Sequence, residues 1–290
     1  MQKIIISLIC GGAVMGFSSF SFANWTDNDT PENRAIVKAK FEEIRAEIST
    51  LEDHPWAGLY YQGDGLGTNL NLAVAPKAGF AFIGRGCVGL YGQNYGEITE
   101  EDGHLMFSFA LKNEEYVTGG IPEKFLPVPW GERMYLIPQG EIIKFCNEIN
   151  SRREPRKGQH GSFFLKKEDR MKEAQGLPEI PDKFRPYLLE EPVDAIITDV
   201  VKIETNSRET LKRATVKIDK GKKDGLLPGM ELYVTQSNSV LEKITLTAVD
   251  ETQSQGFYYI YLRRTLLGGQ AWEQEPQVGW NVSTCPSWRR

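Results

Sequence analysis

Four cysteines and three histidines are all that the 290 residues offer for soft metal ligation or thiol chemistry, and they are scattered. Cys10, Cys87, Cys146 and Cys285 form no C-x-x-C pair, and His54, His104 and His160 stand apart without an H-E-x-x-H. Those absences exclude a zinc-finger or zincin pattern, and no metal or cofactor is expected. An excess of basic residues is missing too: thirty-four Lys and Arg against thirty-nine Asp and Glu leave a formal charge of −5. Without a clustered positive surface, nucleic acid is not an expected partner. There is no G-x-S-x-G, and no pair of acids is placed by spacing, so the sequence assigns no catalytic residue.

Long apolar runs are equally scarce. The one at the start follows Lys3, is broken by Gly11-Gly12 and ends in Ser21-Phe22-Ala23. It is too short to span a bilayer and has the charged, apolar and small-residue order of a secretory signal, residues 1–23. Ser7-Leu8-Ile9 before Cys10 lacks the small residue that precedes a lipid-bearing cysteine. The chain is therefore expected to be exported, to the periplasm or beyond a bacterial cell, with no membrane-spanning segment left after cleavage. Loss of Lys3 takes the net charge from −5 to −6. Three cysteines remain in an oxidising compartment. Cys87 and Cys146, both in the first domain, are expected to pair, closing a loop of about sixty residues worth ~4 kcal/mol. Cys285 is left as a tail thiol.

Glycine clusters are present but lack what phosphate loops need. Gly63-Asp64-Gly65-Leu66-Gly67-Thr68-Asn69 runs between strand-like Leu59-Tyr60-Tyr61 and Leu70-Asn71-Leu72, with neither helix nor lysine. It reads as a hairpin loop, and Asp64 with Asn69 and Asn71 supplies too few hard oxygens for calcium.

Periodicity gives the architecture. Val37, Phe41, Ile44, Ile48 and Leu51 recur at three and four, with Thr30 and Pro31 as start signals and Glu42, Glu43, Arg45 and Glu47 opposite. This predicts an amphipathic helix over 31–51 that covers a face or end of the next domain. Beyond Trp56 the period becomes two: Leu70, Leu72, Val74; Phe80, Phe82; Leu105, Phe107, Phe109. Those are half-buried antiparallel strands, with Asp102-Gly103 suited to a tight hairpin. Pro127 and Pro129 imply an edge strand, and 141–149 turns helical. The segments are a signal peptide (1–23), a helical segment (24–56), a β-meander or barrel (57–169), a proline-rich linker (170–192) and a small β-barrel (193–290). The fold class is mainly β: two small antiparallel barrels or sandwiches with an N-terminal amphipathic helix. Phe80, Phe82, Phe107 and Phe109 are the candidate interior of the first barrel. Arg152, Arg153, Arg156 and Lys157 form a basic loop, a candidate anion contact.

In the second domain, Lys223-Asp224-Gly225-Leu226-Leu227-Pro228-Gly229-Met230 supplies two glycines suited to positive φ and a preset turn. This segment resembles the glycine-turn piece of small β-barrel domains in bacterial envelope assembly proteins, such as the rod-shape factor MreC and flagellar assembly protein T. The resemblance covers about fifteen residues, implies an assembly or scaffold role and carries over no catalytic residue. Ser283-Thr284-Cys285 with Arg289 resembles a few residues of sortase transpeptidases, where a thiolate attacks and an arginine steadies the oxyanion.

The sequence thus points to an exported envelope binding or scaffold protein, partnered by an envelope protein or by itself. A carrier of a small apolar ligand in the first barrel is the alternative, and a cysteine-dependent hydrolase or transpeptidase the third reading. N-terminal sequencing of the exported protein is expected to begin at Asn24; a start at Met1 contradicts the leader.

Overall fold

Alternation of inward apolar with outward side chains closes into a barrel twice along this chain. The computed structural model describes residues 28–63, 68–86, 89–113, 120–155, 163–207, 211–236, 242–261 and 274–285. Helix α1 (Pro31–Ile48) precedes β1 (Gly58–Gln62), β2 (Asn69–Ala75), β3 (Gly79–Gly86), β4 (Gly89–Glu101), β5 (His104–Phe109), β6 (Lys124–Trp130) and β7 (Arg133–Pro138). Helix α2 (Ile142–Asn150) then leads to β8 (Phe164–Lys166). These eight strands form a closed antiparallel barrel in simple sequence order, sealed where Tyr60 and Tyr61 of β1 meet Lys166 and Leu165 of β8. Closure gives every strand of this barrel a neighbour on both sides, unlike the edge strands of an open sheet.

The interior of this barrel is aromatic. Phe80 stacks on Phe107 at 4.6 Å between centroids, meets Phe109 edge-on at 5.2 Å, and the series continues through Phe125 to Phe164. Phe82 is fully buried in the same cluster as Phe80 and Phe107, and Phe109 packs against it partly exposed. All four candidate interior residues therefore belong to one packed core. Directly across from Phe80 is Gly96 on β4. A Cβ there would lie 1.9 Å from the Ser108 carbonyl oxygen and 2.9 Å from the Phe80 ring, so only glycine lets the ring sit flat on the neighbouring strand.

The outer face of β2 and β3 carries alanine, and that choice admits α1. Ala73, Ala75, Ala78 and Ala81 are buried beneath Phe41, Ile44 and Ile48 of the helix. Strands expected to be half-buried are thus covered on both faces here, because short side chains let a helix lie close. Thr30 caps α1 by accepting from the Asn33 N–H at 3.1 Å, and Glu47 near its other end accepts from the N–H groups of Lys77 and Ala78. The last turn and Leu51 reach the barrel's end, against the cluster that holds Trp56.

Strand β6 corrects one expectation. It is not an edge strand of an open sheet, since β5 and β7 flank it in the closed barrel. Pairing with β5 stops at Phe125, before either proline. The Pro129 carbonyl accepts from the Glu179 N–H at 2.9 Å, so that side of the strand faces the chain beyond β8 rather than β7. Pro127, two residues earlier, faces the same way, and neither missing N–H interrupts a ladder.

The second barrel comprises β9 (Asp194–Thr205), β10 (Leu211–Ile218), β11 (Glu231–Val234), β12 (Lys243–Val249), β13 (Ser254–Tyr261) and β14 (Asn281–Ser283). Its closed order is β10-β13-β12-β11-β14-β9. Val216, Leu232, Val234, Ile244, Leu246 and Tyr258 fill it. Gly225 and Gly229 take φ of 86° and 90°, and Asp102 and Gly103 in the β4–β5 hairpin take 51° and 72°, as their turn chemistry requires.

Replacing Phe80 by Ala is expected to lower unfolding free energy by about 3–5 kcal/mol, because the cavity opens inside a rigid aromatic stack. Gly96→Ala should cost roughly 1–3 kcal/mol by overpacking the same ring. Urea denaturation of both variants measures this; a Phe80→Ala loss well under a kilocalorie contradicts a filled interior.

Candidate functional site at the junction of the barrels

Helix α2 has two working faces. Ile142, Phe145 and Cys146 are buried against Leu126, Val128, Tyr135, Ile137 and Leu165, which are the outward-pointing residues of β6, β7 and β8. Phe145 sits edge-on to Tyr135 and to Phe163, both at 5.3 Å. The opposite face carries Asn147 and Asn150, one turn apart. The Asn147 amide donates to the Gly229 carbonyl at 2.9 Å, and its oxygen accepts from the Glu231 N–H at 3.3 Å. Asn150 does the same to the connecting chain, donating to the Tyr187 carbonyl at 2.9 Å and accepting from the Leu189 N–H at 3.0 Å.

The partner of Asn147 is the glycine turn of the second barrel. A Cβ on Gly229 would approach Ile143 Cγ2 to 3.2 Å, and its φ of 90° already disfavours any other residue. The segment singled out as a barrel turn is therefore also the surface on which α2 rests. Residues 170–192, read as a linker, are packed as well. Ile180 is buried beside α2, residues Asp182–Tyr187 form a 3-10 turn, and Tyr187 packs against both the α2 core and the core of the second barrel.

Charge completes the junction. Glu148 is buried, with Arg153 Nε 3.1 Å from its Oε2. Lys243 Nζ lies 2.7 Å from Glu231 Oε1, and the Tyr233 hydroxyl donates to Glu231 at 3.1 Å. Burial first, then the Glu231 and Glu148 carboxylates, push the Tyr233 hydroxyl well above its ordinary range, so it stays a donor.

These positions settle where the other expected site residues stand. Arg153 is used internally against Glu148, Arg133 and Glu154 approach to 3.6 Å, and Arg152 is exposed. Half of the basic loop can be placed, and one of its two described arginines is spent on structure. Arg156 and Lys157 lie outside the described residues, as do Asp64, residues 1–23 and Cys87. Cys146 carries a free thiol buried in the α2 core, so the expected Cys87–Cys146 bridge is not formed. Its helix turns the side chain inward to the β6–β8 wall, and burial raises its pKa to about 12. Cys285 is not a tail thiol: it too is fully buried. Arg289, its counterpart in the sortase-like pattern, lies outside the described residues.

One outward surface stands out. Beyond Ile197, strand β9 pairs with β10 on one side, and among the described residues no strand pairs with its other side. Ile196, Val201 and Ile203 on this strand are 41%, 48% and 37% exposed. Asp199, Lys202 and Glu204 interrupt them with charge, Glu204 holding Lys202 and Arg213 each at 2.9 Å. No helix among the described residues is long and apolar enough to cross a membrane. Compared with protein-family models, curated proteins and solved structures, the chain matches none.

The paired asparagines escaped sequence reading because Asn in mid-helix usually signals a solvated face. The signal that was available is the spacing itself: two amides three apart, within Phe145-Cys146-Asn147-Glu148-Ile149-Asn150, on a helix whose other side is apolar.

Asn147→Ala is expected to cost about 1–3 kcal/mol, since it strands a backbone donor and acceptor at a partly buried contact. Denaturant unfolding followed separately by probes in each barrel should coincide in the native chain and separate in the variant. Cys146 is expected to resist alkylation in mildly alkaline buffer until the protein unfolds; rapid native labelling contradicts its burial.

Proposed function

We propose that this chain is an exported cell-envelope binding or scaffold protein that works through the outer surfaces of its two barrels. The observation that carries this reading is that each barrel is packed with its own side chains, aromatic in the first and largely aliphatic in the second. Recognition then falls to the outside. The β9 edge, with exposed Val201 and Ile203 and, among the described residues, no strand paired along its outer side beyond Ile197, offers the most adhesive outer surface. The junction supports the scaffold part of the reading, because a helix pinned to both barrels holds their surfaces at a fixed spacing.

Export rests on the leader pattern of residues 1–23, and the two buried thiols are compatible with it, since oxidants react with accessible thiolates. The carrier reading needs an interior guest, and the Phe80–Phe107 stack weighs against it. The transpeptidase reading needs an accessible thiolate, and the burial of Cys285 weighs against that.

The test places a photo-crosslinking residue at Val201 in the full chain within the native envelope, and the same probe at Glu43 on the exposed face of α1. A discrete adduct from Val201, to an envelope protein or a second copy, with none from Glu43, is the expected result. No adduct from Val201 overturns the contact role of β9. A small apolar molecule retained in native mass spectra would put the carrier in its place.

A further inference from the structure

Where β8 leaves the first barrel, a pocket of about 220 Å³ is lined by Tyr61, Leu165, Lys166, Lys167 and Arg170. Of the five described residues that line it three are cationic, and none of the five is an acid. Lys166 is neutralised by Glu168 at 3.0 Å, outside the pocket lining. Lys167 and Arg170 are different: no described carboxylate forms an ion pair with either of them. The acid next to them in sequence, Asp169, is already occupied. It is buried, accepts from the Met134 N–H at 2.9 Å and pairs with Lys172 at 2.7 Å. From α1, Arg45 adds a further positive charge close enough to act on Lys167, although Arg45 itself is paired with Glu42 at 2.9 Å.

We infer that this pocket is an oxyanion site, in which Lys167 and Arg170 hold a phosphate group beside the Tyr61 ring. The geometry supplies what such a group needs. Two cationic side chains three residues apart leave one 3-10 turn on the same side, and a guanidinium gives paired N–H donors to neighbouring oxygens. The wall behind them is already fixed. Leu165 is fully buried in the α2 core, and the Tyr61 hydroxyl donates to the Asn69 side-chain oxygen, so neither residue need reorganise to admit a ligand. The local balance favours an anion as well: burial first, then Arg45, holds the Lys167 ammonium below the ordinary lysine range, a penalty that a bound oxyanion would relieve. The site is separate from the basic loop at Arg152 and Arg153, and it does not depend on the β9 contact.

Phosphate could reach this pocket as a free ion or on a lipid headgroup, and the experiment separates the two. The full-length protein, labelled at leucine methyls, is titrated with inorganic phosphate, and its binding to vesicles of phosphatidylcholine is compared with binding to vesicles that also contain phosphatidylglycerol. The variants are K167M/R170M and, as a control for general attraction, R152M. Saturable shifts of the Leu165 methyls with phosphate, weakened at least about tenfold in K167M/R170M and unchanged in R152M, are expected for a soluble oxyanion. Binding to phosphatidylglycerol vesicles alone, abolished by the same double variant, assigns a headgroup. Two results overturn the inference: no response to either probe, or a response that R152M weakens as much as K167M/R170M does. Methyl spectra of the double variant that match the native protein away from the pocket guard against a folding defect.

Discussion

A helix from one barrel can rest on a turn of another only where that turn presents backbone rather than side chain. Gly229 meets that condition, and the rest of the junction depends on it. Its missing Cβ admits Ile143, its carbonyl receives the Asn147 amide, and the next strand begins with the Glu231 N–H that Asn147 accepts. A carboxamide matches this because it donates and accepts at once; a carboxylate would leave the carbonyl facing an acceptor. One turn later Asn150 repeats the arrangement on the connecting chain. A single short helix thereby ties the first barrel, the connector and the second barrel together.

The first barrel is shaped to present that helix. Its β6–β8 wall is apolar on both faces: Phe125, Leu136 and Phe164 point in, while Leu126, Ile137 and Leu165 point out beneath α2. The β2–β3 wall is apolar on both faces by a different route, with phenylalanine inside and alanine outside. A barrel braced by helices on both of these walls resists the distortion that would move α2 relative to the core. Helix α2 thus transmits the position of one barrel to the other through hydrogen bonds to backbone, which do not swing as long side chains do.

Much of this fold was legible in the sequence, for identifiable reasons. Helix α1 was expected over 31–51 and occupies Pro31–Ile48, because a five-residue apolar stripe with Thr30 and Pro31 at its head has little alternative. The interior phenylalanines followed from alternation alone, and the Asp102-Gly103 and Gly225/Gly229 turns from backbone sterics. What was not legible is contact between elements distant in sequence. Nothing local tells that Ala73 and Ala81 lie under a helix, that Pro129 faces Glu179, or that residues 170–192 pack against α2. Proline-rich, mixed-charge sequence looks like a tether whether or not a helix lies beside it. The cysteine expectation failed for a related reason: spacing permits a bridge between Cys87 and Cys146, but the α2 stripe points Cys146 into a core. The pocket at Lys167 and Arg170 went unnoticed because its cations are interleaved with Glu168 and Asp169, and only the fold turns those acids elsewhere.

The claim on which this account turns is that the junction makes the two barrels one rigid body. Spin labels on exposed positions of each, Glu43→Cys on α1 and Thr247→Cys on β12, report it directly through the distribution of distances between them. The account predicts one narrow distance in the otherwise native chain, broadening when Asn147 is replaced by Ala. A broad distribution in the native chain, unaffected by Asn147→Ala, would contradict it.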